Sequence, residues 1–90
     1  MAGLLSLKKI SRVYLKSMES VTVESGYGII IVSSSAIGRT SVSVKEAHSV
    51  VSLSEVSNIY IESLTEYSFK VTNRASIPAY MDIVIVGCLI

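Results

Sequence analysis

Three residues are each single in the chain, and each bears on chemistry: His48, Asp82 and Cys88. A histidine serves as a catalytic base only with a nucleophile on one side and an orienting carboxylate on the other. Ser49 and Ser52 lie close to His48 in sequence, but neither stands in a G-x-S-x-G elbow. The pattern therefore predicts a histidine near a strand end and no catalytic role for it. The glutamates Glu19, Glu24, Glu46, Glu55, Glu62 and Glu66 fall beside turns or on expected solvent faces. None of them makes the facing carboxylate pair that glycoside hydrolysis needs. Asp82 differs, because it interrupts an apolar strand. It is expected to face solvent with Tyr80 or to pair with Arg74 or Lys70 in an interface, where a charge also discourages wrong edge pairing.

Phosphate and metal chemistry find no better support. Gly26-Tyr27-Gly28 opens like a dinucleotide fingerprint, but Ile31 stands where the third glycine belongs and no helix is expected to follow. There is no H-E-x-x-H, no cysteine pair and no acidic calcium loop. The lone Cys88 excludes an intrachain disulfide, reads as a small apolar residue near the chain end, and fits a reducing compartment. The expectation is a protein that is not an enzyme and takes no cofactor or metal.

The basic residues are unevenly placed. Lys8, Lys9, Arg12 and Lys16 precede the first acid, Glu19. Phosphate contact by this segment would want an aromatic platform, and Tyr14 is the only aromatic there, so nucleic acid is not the expected partner. A membrane-surface helix would want a Trp or Phe anchor that the segment lacks. Met1–Met18 has the basic, acid-free, serine-containing make-up of a mitochondrial presequence, which is a minor reading of the segment. The Ala2–Leu7 run is short and is followed by its lysines, which is not a secretory pattern. No stretch approaches the roughly 20 apolar residues of a membrane span. The functional reading kept for the four basic residues is an arm docking onto a protein partner; the plain one is packing on its own domain. Tyr27, Tyr60, Tyr67 and Tyr80 offer a carbohydrate platform, but packing in a core or an interface suits them better.

The elements that would carry these residues follow from the hydrophobic period. The chain of 90 residues is 50% hydrophobic and 17% charged, with mean hydropathy +0.58. That is one domain with apolar surface to spare, and a subunit interface is the usual destination of the surplus. From Val21 onward the period is two: Val21 and Val23, Val42 and Val44, Ile59 and Ile61, then Tyr67, Phe69 and Val71 alternate with polar residues. This places Val42 and Val44 on the core and Ser41, Ser43 and Lys45 in water. About seven strands are expected, near 20–25, 27–33, 39–45, 49–54, 58–63, 66–72 and 79–87, with turns too short for crossover helices. The predicted fold is an all-β, antiparallel, jelly-roll-like sandwich over 19–90, preceded by a basic arm or short helix over 1–18. In a helix, Leu4, Leu7, Ser11, Tyr14 and Met18 share one stripe, whereas Val13 and Leu15 alternate as in a strand.

Two strands break the alternation. Tyr27–Val32 and Ala79–Val86 are apolar on both faces, apart from Asp82. A sandwich covers one face of each sheet, so the second face asks for another chain or for the N-terminal segment. Ile30, Val32, Val84 and Val86 are the expected interface residues, with Ile29, Ile83, Ile85, Phe69 and Val71 in the core. A slip of one residue exchanges these faces.

The run Gly38–Val42, Val50–Ser54, Asn58–Ile61, then Tyr67–Asn73, a loop and Ala79–Ile85 resembles the small β-sandwich modules of phage tail fibres, tail tips and capsid decoration proteins. Those modules end in a hairpin of the form strand, T-N-x, loop, strand, glycine, as Thr72-Asn73 and Gly87 do here. The resemblance implies a virion structural protein, assembled in the host cytoplasm as a homotrimer together with other virion proteins. The alternative is a lectin-like or receptor-binding module that uses tyrosines and the loop at Asn73 and Arg74 to bind a glycan.

Overall fold

In a computed structural model, which describes residues 7–25, 27–34, 40–46, 48–54 and 56–87, every expected run is a strand. The chain order is β1 (Leu7–Leu15), β2 (Ser20–Glu24), β3 (Gly28–Ser34), β4 (Thr40–Lys45), β5 (Val50–Ser54), β6 (Ile59–Thr65), β7 (Ser68–Asn73) and β8 (Ala79–Val86). A five-stranded sheet runs β1-β8-β3-β4-β5 and a three-stranded sheet runs β2-β7-β6, all neighbours antiparallel. The all-β sandwich is as expected. Leu7–Leu15 takes the extended option left open for the first segment and goes further. It is a full edge strand, the eighth among the described residues, and no helix forms there.

The jelly-roll character lies in the nesting of the first and last strands. β1 pairs with β8 and β2 with β7, so two ribbons cross side by side from one sheet to the other. The middle departs from that wrap: β3, β4 and β5 meander within one sheet while β6 joins the other. The crossing needs two corners. In the first, Glu19 N–H donates to Lys16 O at 2.9 Å while Met18 takes the left-handed region at φ 67°. The second, after β7, is organised by Asn73. Its Oδ1 accepts from Ala75 N–H at 2.9 Å, and its Nδ2 donates to Leu15 O and Ile77 O, each at 3.0 Å. The corners are tied together by Met18 N–H to Asn73 O and Asn73 N–H to Glu19 O.

Between the sheets lies one apolar core. Ile30, Val32, Met81, Ile83 and Ile85 come from the larger sheet, and Val23, Ile59, Phe69 and Val71 from the smaller, with Leu15 and Val56 closing it. Strand β4 faces the opposite way from its expected orientation. Ser41, Ser43 and Lys45 point inward and are buried, while Val42 and Val44 lie opposite Ile31 and Ile29 on the outer side. An inward lysine is tolerated because its amine reaches acceptors beyond the core. Lys45 Nζ donates to Glu46 O and Thr65 O at 3.0 Å and to Glu66 O at 3.3 Å, clamping β4 to the β6–β7 turn.

Candidate functional site

Directly opposed residues of an antiparallel pair share a face, so the register draws the outer surface of the five-stranded sheet. One row crosses all five strands: Leu7, Val86, Ile29, Val44 and Val51. The next row holds Lys9, Val84, Ile31, Val42 and Ser54. Eight of these ten residues are aliphatic, and none belongs to the buried core. Leu7 is 69% exposed, Val51 49% and Ile29 40%, and the neighbouring Leu53 is 65% exposed. Single exposed aliphatics are ordinary; contiguous rows of them mark an interaction surface.

The expected interface residues divide by parity. Val84 and Val86 lie on this outer face, half-buried. Ile30 and Val32 do not; they are fully buried in the chain's own core. Strand β3 is apolar on both faces, and its parity is the reverse of the expected one. Ile29, expected in the core, and its neighbour Ile31 are outside. Leu7, Val42, Val44 and Val51 were also missed. Alternation reports a period but not which side is wet, and the pairing of Val42 and Val44 with Ile31 and Ile29 is visible only in the folded sheet.

Further along the same face the character changes. Tyr14 and Tyr80 meet at 5.1 Å between ring centroids, and the Arg12 guanidinium lies 4.6 Å over the Tyr80 ring. Arg12 occupies a bulge, where the register shifts between Ile10 and Val13 and its φ is 56°. Asp82 fixes that bulge by accepting the Arg12 backbone N–H on Oδ1 at 2.8 Å. It pairs with neither Arg74 nor Lys70, since Lys70 binds Glu62 across β6–β7 at 3.0 Å.

The four basic residues proposed as a docking arm do not form one stripe. Lys8 Nζ crosses between the sheets to donate to Glu24 O at 2.7 Å. Lys9 borders Val84, Arg12 stacks on Tyr80, and Lys16 sits in the first corner with its N–H on Glu19 Oε1. His48 is exposed in the β4–β5 turn, away from any hydrogen bond to Ser49 or Ser52; Ser49 Oγ donates to Glu46 Oε1 at 3.2 Å. Among the described residues, no three of His, Cys, Asp and Glu converge. No helix among them is long and apolar enough to cross a membrane. Cys88 lies outside the described residues, as do Gly26, Gly38, Arg39 and Glu55.

The residues offered for glycan binding also separate. Asn73 is fully buried and spends its amide on the chain's own backbone, so it is not a contact residue. Arg74 is exposed, and its guanidinium lies 3.7 Å from the centre of the Tyr60 ring. Chemically, the outer face of the five-stranded sheet carries two largely aliphatic rows bordered by Lys9, Ser54 and an arginine–tyrosine cluster. Compared with known proteins, the chain matches no family model, no curated protein and no solved structure.

Proposed function

We propose that this chain is a non-enzymatic structural module that associates with copies of itself through the outer face of its five-stranded sheet. We further propose that the assembly is a component of a virus particle, as capsid decoration or part of a tail or fibre. The observation that carries the first reading is the aliphatic row Leu7–Val86–Ile29–Val44–Val51, which runs unbroken across every strand of the sheet. The virion setting and the trimeric state rest on the resemblance to phage modules described above.

Fully burying a large aliphatic side chain is worth about 1.5–3 kcal/mol. Leu7, Ile29, Val51 and Leu53 each retain a large part of their exposure, so a partner covering them gains several kcal/mol per protomer. That gain is of the size needed to offset the entropy of association. The test is solution mass by light scattering after gel filtration, across a dilution series. A stable oligomer is expected for the native chain, a monomer for Val84→Asp, and no change for Thr22→Asp. Thr22 is exposed and lies opposite Lys70 on the smaller sheet, away from this face. A native chain that is monomeric at micromolar concentration, or a Val84→Asp variant that assembles normally, overturns the proposal.

A further inference from the structure

A second site lies at the seam where edge strand β5 of one sheet approaches edge strand β6 of the other. A cleft of about 220 Å³ opens there, lined by Ser52, Val56, Ser57, Ile59, Ile61 and the stacked pair Tyr60 and Arg74. The local backbone builds it. Ile59 N–H donates to Val56 O at 3.0 Å, closing the β5–β6 turn, and Arg74 N–H donates to Asn58 O at 2.9 Å, holding the arginine over that turn. We propose that this cleft binds a terminal sugar acid of a glycan: one pyranose ring that carries a carboxylate.

Each part of that ligand has a counterpart. The Tyr60 ring covers one face of the guanidinium, which leaves the donors on its planar edge for a bidentate carboxylate contact. No carboxylate among the described residues pairs with Arg74; the ion pair found among them is Glu62–Lys70. Ser52 and Ser57 line the cleft with polar side chains for sugar hydroxyls, and half-buried Ile61 gives apolar surface for the C–H face of a ring, with the buried Val56 and Ile59 lining the cleft from the core side. The space selects size as well. Sites for drug-sized ligands run from about 300 Å³ upward, so this one suits a single ring. One arginine matches one negative charge, which argues against a nucleotide with its several phosphates. The site stands apart from the assembly face, so it holds or fails independently of that proposal.

The experiment is a titration of the isotopically labelled full chain with methyl glucuronoside, followed by amide shifts, with methyl glucoside and acetate as controls. A ligand of this size with ordinary efficiency per atom binds with a Kd of about 1 mM. The expected result is saturable shifts at Ser57, Ile59, Tyr60, Ile61 and Arg74, with both controls roughly tenfold weaker or worse. Arg74→Ala is expected to abolish binding while the rest of the spectrum stays native. Arg74→Lys, which keeps the charge but loses the fork, is expected to weaken it about tenfold. Three results overturn the proposal: no saturable shift with the glucuronoside, equal affinity for acetate, or undiminished binding by the folded Arg74→Ala variant.

Discussion

Replacing Asn73 by alanine should be among the most damaging single changes to this fold, and the structure permits an estimate. The side chain is fully buried and makes three hydrogen bonds to backbone groups: Ala75 N–H, Leu15 O and Ile77 O. Alanine leaves all three without their partner. Leu15 and Ala75 are themselves buried, so water reaches their backbone poorly. Each orphaned buried group costs about 1–3 kcal/mol, and with partial relief at the exposed Ile77 a total of about 3–4 kcal/mol is reasonable. Domains of this size are stable by roughly 5–10 kcal/mol, so the change removes a large share of the whole. At about 4–8 °C per kcal/mol, Tm should fall by roughly 15 °C or more. Thermal unfolding followed by far-ultraviolet circular dichroism measures it. The variant Asn73→Asp keeps the acceptor for Ala75 but loses both donors and buries a carboxylate against carbonyl oxygens. Relative to the native chain, it should be worse at neutral pH than in mild acid, because burial favours the protonated carboxyl and falling pH supplies that proton. If Tm falls by less than about 4 °C in the alanine variant, the corner is not held by Asn73 as argued.

Other changes probe separate parts of the argument. Lys45→Met should cost about 2–3 kcal/mol in urea unfolding, because the carbonyls of Thr65 and Glu66 lose a charged donor while the stem is still packed. Ser43→Ala should instead stabilise by about 1 kcal/mol, since the buried Ser43 hydroxyl finds no hydrogen-bond partner among the described residues. Met18→Gly should raise stability by about 0.5–1 kcal/mol by relieving a left-handed backbone at an exposed turn, and a lower Tm would contradict that account.

Much of the fold was legible because apolar period and turn chemistry agree along most of the chain. Phe69, Val71, Ile83 and Ile85 are expected in the core and are buried there. Three features stayed hidden for distinct physical reasons. In β1, the bulge between Ile10 and Val13 inserts a step that breaks the two-residue period, so Lys8–Leu15 matches neither a regular strand nor a clean helix. In β4, valine and serine alternate perfectly, yet the serines face inward. The valines extend an aliphatic surface begun by Ile29 and Ile31, and Lys45 finds carbonyl partners past the core. The Tyr60–Arg74 pair was named piecemeal among tyrosines and loop residues. Only the β6–β7 pairing, with Ile59 opposite Asn73, brings the two residues together.

The nested pairing of first and last strands has a consequence in time. Leu7 sits opposite Val86, and Ser20 opposite Thr72, so in each sheet a strand from the start of the described chain pairs with one from its end. The β3–β4–β5 meander is local and can form early, but its strand β3 is apolar on both faces and leaves an uncovered edge where β8 belongs. During synthesis, at roughly 5–20 residues per second, that half-sheet must wait several seconds for its closing strand to leave the ribosome. Contacts of such long range also make the final closure slow, in the millisecond-to-second regime of all-β domains. The interval in which this protein is most prone to aggregate is therefore the one just before β8 arrives.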